Sequence, residues 1–326
     1  MNPTRRGVVA TLAGLTFASI GRSARAARPS ELVLDWATYN PVSLVLREKG
    51  WAEEPFAALG IRKVHWVQSL GSNKALEFLN AGSLQFGSTA GAAALLGRIN
   101  GNPIRTVYVY SKPEWTALVT RPDTGIAKVE DLKGRRVAAT KGTDPYIFLL
   151  RALERHGLGP KDVQLVLLQH DQGKAALERG DVDAWAGLDP MMAQTELEAG
   201  NRLFYRDPDA NTWGVLNAPE SLIAEQPELV ETVVALYERG RRYALANPDE
   251  LRALLAKAAR IAEPVAARQL ERTGLADPRV GDAQHASIAA AGRALQAVGV
   301  IRPEVDVEAA TRALLDRRFT ASLTVG

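Results

Sequence analysis

Two short turns carry the residues best suited to chemistry. The first is Lys141-Gly142-Thr143-Asp144-Pro145, and the second is Gly87-Ser88-Thr89-Ala90-Gly91. Each follows an apolar run and precedes a helical pattern. A strand, a glycine-containing turn and a helix start leave unpaired backbone N–H groups at the positive end of a helix dipole. Threonine and serine hydroxyls add further donors. That arrangement suits holding an anion rather than transferring a proton. In the first turn Asp144 is the expected N-cap and Pro145 the first helical residue. The second turn resembles a nucleophile elbow but has Thr89, not serine, at its centre.

Other chemistries lack their residues. The chain has no cysteine, so disulfides, thiolate metal sites and a cysteine nucleophile are excluded. His65, His156, His170 and His285 are scattered with no metal-binding spacing, and read as surface or core residues. There is no phosphate-loop or dinucleotide fingerprint. The expectation is a chain with no catalytic residue, no metal and no cofactor.

The elements that must position these turns alternate. Glu31–Trp36, Val64–Val67 and Leu84–Phe86 read as strands, each followed by a small-residue turn and a helix. The same unit recurs with Val137–Thr140 leading into a helix from Pro145 to His156. Val163–Leu168 precedes a helix near Gly173–Arg179, and Asp183–Gly187 and Trp213–Leu216 are further strands. After Pro219 the pattern is helical. Repeated strand–turn–helix units predict parallel sheets covered by helices, with ligands at the carboxyl ends of the strands. Trp36 and Trp213, at strand ends, and Trp185, within a strand, are candidate pocket walls whose other reading is core packing.

Two such units in series predict two lobes. The chain crosses between them near Val107–Val119 and Trp213–Ala218, which gives residues 27–116 with 217–326 as one lobe and 117–216 as an inserted second. Ligands favour such interfaces, and two linking segments permit hinge closure.

Composition sets the compartment. At 46% hydrophobic and 24% charged residues, the 326-residue chain has the balance of a globular protein. Arg5, Arg6, Arg22 and Arg25 lie in the first 26 residues, where no acid occurs. Removing these four positive charges turns the net charge of +3 into −1, so the basic balance gives no argument for nucleic acid. Arg5-Arg6, the apolar run Gly7–Ile20 and Ala24-Arg25-Ala26 predict an export signal over 1–26, by the twin-arginine or general secretory route. The run is too short to span a bilayer. A monomeric periplasmic protein is expected.

Four motifs in order carry a family resemblance over about residues 31–320. They are Leu79–Leu84 followed by Phe86-Gly87-Ser88-Thr89, then Val129–Gly134, then Val137–Leu153, then Gly180–Trp185 followed by Asp189-Pro190. In these the chain resembles the substrate-binding proteins of ABC importers in the nitrate/sulfonate/taurine group, closest to the aliphatic sulfonate binders. The resemblance implies an α/β type II periplasmic binding fold. It implies capture of a small anion in the cleft and delivery to a permease with its ATPase subunits. Taurine, nitrate or another small organic ligand is the alternative cargo. An enzyme related to pyrimidine-precursor synthases is a further alternative, and a periplasmic sensor domain another. The implied contact turns fall on Ser88 and Thr89, on Gly142, Thr143 and Asp144, and on the strand end after Trp185 with Asp189. They fall more loosely on Trp36, Thr38, Asn40 and Ser72. The chain departs from the family pattern at Ala90-Gly91-Ala92, at Asp144 and at Gly187-Leu188. If Asp144 faces the cleft, it would favour a ligand that carries an amine; if it caps the helix, it leaves the anion alone.

Overall fold

A computed structural model describes residues 30–325, so the expected export signal over 1–26 lies outside the described residues. From the N-terminal side the chain forms β1 (Glu31–Trp36), α1 (Pro41–Lys49), α2 (Glu53–Ala57), β2 (Lys63–Gln68), α3 (Ser72–Asn80), β3 (Gly87–Ala90), α4 (Gly91–Ile99) and β4 (Ile104–Pro113). The middle of the chain forms β5 (Leu118–Thr120), β6 (Arg136–Ala139), α5 (Asp144–Arg155), β7 (Gln164–Leu167), α6 (His170–Arg179), β8 (Ala184–Ala186), α7 (Met191–Glu198) and β9 (Arg202–Tyr205). The remainder is β10 (Gly214–Pro219), α8 (Glu220–Glu225), α9 (Pro227–Ala246), α10 (Pro248–Ala259), α11 (Glu263–Glu271), β11 (Thr273–Gly274), α12 (Asp282–Ala297) and α13 (Val307–Leu314).

Two sheets organise these elements. One runs β7-β6-β8-β5-β9 and takes all its strands from the middle of the chain. The other runs β11-β4-β10-β3, and a bridge from Leu34 to Phe86 joins it to the parallel pair β1-β2. Each sheet with its helices is one lobe. The outgoing crossing lies between β4 and β5. The returning chain joins the first sheet from Gly214, so the expected resumption at 217 falls inside β10.

The β7-β6-β8-β5-β9 sheet is mixed and the β11-β4-β10-β3 sheet is antiparallel, which corrects the expectation of parallel sheets. β6 pairs in parallel with β7 and β8, while β5 is antiparallel to β8 and β9, and β10 to β3 and β4. The crossings cause this: a strand that enters or leaves a lobe directly runs against its neighbours, with no covering helix to return it. The third strand also moves. Gly87–Ala90, expected as a turn, is β3, fully buried and paired with β10. Small residues fit a strand covered on both faces, and pairing across more than 120 residues overrides local turn chemistry. β9 and α7 were not expected at all. Only β5 pairs with β9, whose residues are exposed or half-buried. The helix expected from Gly173 starts at His170. There Gln172 Oε1 accepts from the Gln169 N–H at 3.3 Å, half of a capping box.

Helix α5 starts one residue earlier than the sequence suggests. Thr143 is its N-cap, and Asp144 its first residue, followed by Pro145. Gly142, at φ 80°, makes the left-handed turn before it. Ile147, Leu150 and Leu153 are buried along the inner face, as their spacing predicts.

Candidate functional site

Three helix N-termini meet between the lobes. α3 of the first lobe begins at Ser72; α5 and α6 of the second begin at Asp144 and His170. Ser72, Thr143, Asp144, Pro145 and His170 line one inner cavity of about 10 Å³, closed by Tyr39, Trp115 and Leu188. That volume holds about one water molecule. The lobes are already in contact around it: a Cβ added at Gly71 would stand 3.0 Å from His170 Nε2, and one at Gly142 would stand 3.6 Å from Asn73 Cβ. An outer chamber of about 820 Å³ opens beside it, lined among others by Trp36, Arg47, Leu70, His170, Met191 and Arg260. His170 lines both spaces. The outer chamber is far larger, but the inner cavity is where the helix N-termini converge, and it is the better seat for a charged head group.

The aromatic walls are fixed from behind. Tyr39 and Trp115 meet edge to face at 6.0 Å. The Tyr39 hydroxyl donates to the Ser88 carbonyl at 3.1 Å, and Trp115 Nε1 donates to Asp144 at 2.9 Å.

Asp144 takes neither role foreseen for it. Its carboxylate accepts from Trp115 Nε1, from the Thr212 N–H at 3.0 Å and from Thr212 Oγ1 at 2.7 Å. Trp115 and Thr212 lie on the two segments that cross between lobes. The same segments are laced by Asn211, whose side chain accepts from the Thr116 N–H at 2.9 Å and donates to the Thr116 carbonyl at 3.3 Å. Asp144 is therefore a buried clamp at the hinge. Its partners lie 29 and 68 residues away, so local spacing gave no sign of them.

The other expected site residues divide. Thr143 lines the cavity, but its hydroxyl donates to the Thr140 carbonyl at 2.6 Å, which leaves its backbone N–H as its remaining donor. Ser72 lines it too, and its Oγ accepts from the Ala90 N–H at 2.9 Å while keeping its own proton free to donate. Gly142 shapes the turn. Ser88, Thr89 and Asn40 lie one layer behind. Ser88 donates both its N–H and its hydroxyl to Asp35, each at 2.8 Å, and accepts from Asn40 Nδ2 at 2.7 Å. Thr89 Oγ1 accepts from Asn217 Nδ2 at 2.8 Å. Trp36 and Thr38 line the outer chamber, where the Arg47 guanidinium stacks 4.1 Å from the Trp36 ring centroid. Trp185 is fully buried among Ala117, Val119, Ala138 and Met192, so core packing describes it. Trp213 is half-buried under Lys112 Nζ, 5.7 Å from the ring centroid. Asp189 is buried; its Oδ1 accepts from the Ala193 N–H at 2.9 Å, and burial pushes its carboxyl up to about 7.

Two groups escaped the sequence reading. Burial pushes Asp35 up to about 6, against the lowering effect of the Ser88 bonds. His170, read as a surface or core residue, sits at the cleft, and burial pushes its pKa down to about 3. The signal that could have placed it is the Gln169-x-x-Gln172 spacing directly after an apolar run, which starts a helix at the end of a strand. Among the described residues no group of three or more His, Cys, Asp or Glu could hold a metal ion.

A two-lobed mixed α/β molecule with helix N-termini meeting in its cleft has the periplasmic binding protein fold. The chain belongs to the NMT1/THI5 like family, whose model matches residues 43–251. A protein of Escherichia coli (strain K12) named for binding aliphatic sulfonates is 31% identical over 211 residues, 64% of this chain and 66% of that protein. Its namesake in Bacillus subtilis (strain 168) is 27% identical over 161 residues, 49% of this chain and 48% of that one. The chain thus spans about half to two thirds of the length of these curated relatives. The alkanesulfonate-binding protein SsuA of Xanthomonas axonopodis pv. citri, solved bound to MOPS, superposes with a TM-score of 0.78 at 24% identity, over 87% of this chain and 99% of that one.

Proposed function

We propose that the chain is the substrate-binding component of an ABC importer, which captures a small organosulfonate anion between its lobes and delivers it to a permease with its ATPase subunits. The observation that carries this reading is the meeting of α3, α5 and α6 N-termini from both lobes at one buried cavity. A sulfonate stays ionised at every physiological pH and has three acceptor oxygens, so it needs donors and a positive field, with no proton transfer. The names of the aliphatic sulfonate-binding relatives agree with it.

The chain acts by binding and not by turnover. In the cavity the Thr143 hydroxyl is engaged with the Thr140 carbonyl, and the Ser72 hydroxyl, free to donate, serves as a further donor to an anion. It works as a monomer in the periplasm after export by the twin-arginine or general secretory route. Residues 30–116 with those after the returning crossing form one lobe, and the strands from 118 to 205 with their helices form the other. A thermal-shift panel of alkyl-, aryl-, amino- and hydroxysulfonates, nitrate and small carboxylates tests the cargo. A sulfonate should raise the melting temperature most. A panel in which nitrate or carboxylates stabilise and no sulfonate does would overturn the reading.

A further inference from the structure

We propose that His170 is the specificity-determining residue of the cleft: it presents a bare acceptor where three helix N-termini meet, so the ligand captured is an organic anion that also carries a hydrogen-bond donor, a hydroxyl or an ammonium, beside its charged group. The inference rests on reading the inner cavity as the ligand site.

The tautomer follows from the bonds around the ring. Thr140 Oγ1 donates its single proton to the Leu168 carbonyl at 2.7 Å. It can therefore only accept from His170 Nδ1, 3.1 Å away, and the ring proton sits on Nδ1. Nε2 is left as a lone pair. It is buried without a partner, in a side chain 1% exposed, and it faces the Gly71 turn of the opposite lobe. Of the residues lining the inner cavity, only His170 has a buried side-chain polar atom without a partner. Tyr39, Trp115 and Thr143 have each given their side-chain proton elsewhere, and Asp144 already accepts three hydrogen bonds from the two crossings.

The imidazole also resists becoming a donor. It stands at the first position of α6, where the helix dipole opposes a positive charge, and its burial opposes one as well. An anionic oxygen placed against Nε2 would meet a lone pair. A ligand whose anionic group takes the N–H groups of α3 and α5, and whose hydroxyl or ammonium reaches Nε2, satisfies every group at once. A ligand without that donor leaves a buried acceptor unpaired, the kind of mismatch by which binding sites reject analogues most strongly.

The test is calorimetry with near-isosteric pairs. The sulfonate pair is 2-hydroxyethanesulfonate and 1-propanesulfonate, with 2-aminoethanesulfonate beside them. The carboxylate pair is 3-hydroxypropanoate and butanoate. The parent protein should bind the donor-bearing member at least about tenfold more tightly. In His170→Phe, which keeps a flat ring and removes the acceptor, the ratio should fall to about one. His170→Gln, which restores an acceptor, should recover part of it. Preference within the carboxylate pair alone, with no sulfonate bound, would uphold this inference and overturn the sulfonate cargo. Equal affinity within the pairs, a ratio that survives in His170→Phe, or no binding of any of these anions would overturn the inference. The parent's ratio decides the matter even if a variant fails to fold.

Discussion

Two buried carboxyls, Asp189 and Asp35, make a pH prediction at the scale of single residues. Burial holds their pKa values near 7 and near 6 in the folded protein, against 3.8 for an ordinary aspartate. A raised carboxyl keeps its proton longer when folded, so its contribution to stability is complete below about pH 4 and is lost as pH rises through the folded value. The Asp189 window runs from about pH 4 to 7, at up to about 1.4 kcal/mol per pH unit. Asp189→Asn keeps the acceptor for the Ala193 N–H and removes the titration. Urea unfolding at a series of pH values should show the variant gaining on the parent by about 1–3 kcal/mol between pH 4 and 7. A constant difference across that range would contradict the assignment. Asp144 predicts the opposite outcome. Three donors converge on its carboxylate, so Asp144→Ala should cost about 3 kcal/mol or more through unpaired buried donors. Asp144→Asn should cost less, since one oxygen survives. A neutral Asp144→Ala would mean that the two crossings hold without the clamp.

At the scale of elements, the site depends on how closely two helix starts approach across the cleft. Gly71 is the N-cap of α3, and a methyl group there would crowd His170 Nε2 at 3.0 Å and Asn73 Oδ1 at 2.8 Å. Gly71→Ala should therefore hold the lobes apart by a few tenths of an ångström and weaken capture by about tenfold, with fold stability nearly unchanged. Ligand affinity equal to the parent's would show that α3 does not close on α6. This scale is also where the sequence was most legible. Turn chemistry at Gly142 and the apolar face of α5 could be read from residues three or four apart. Gly87–Ala90 could not, because its strand character comes from β10, and Asp144 could not, because its partners sit on distant crossings. Ser88 and Thr89 have the residue types of a ligand turn, and the structure uses them to build the layer behind it. His170 was hidden for the converse reason: a lone histidine has no spacing to betray it, and only the fold brings it to the cleft.

For the whole molecule, the inner cavity is too small for an organic anion while the lobes are in contact, so the lobes must part to admit one. The crossings are short and tied together by Asn211 and Asp144, which favours rotation about them over sliding. Across the mouth, Arg268 of α11 and Arg272 just after it pair with Glu196 of α7, a contact that must break for the lobes to open. Glu196→Gln should shift the protein toward the open form. Small-angle scattering should then give a larger radius of gyration without ligand than for the parent, and the same radius with it. An unchanged radius in both states would argue against this latch.

The central claim is that an anionic head group sits where α3, α5 and α6 begin. It is tested most directly by a crystal structure of the protein with its tightest-binding sulfonate, with the sulfur located by anomalous scattering. The sulfur should lie within hydrogen-bonding reach of the backbone N–H groups of the Ser72 and Thr143 turns, with the rest of the ligand passing His170 toward the outer chamber. A sulfur found beside Trp36, Arg47 and Arg260 in the outer chamber, with the inner cavity unchanged, would contradict it.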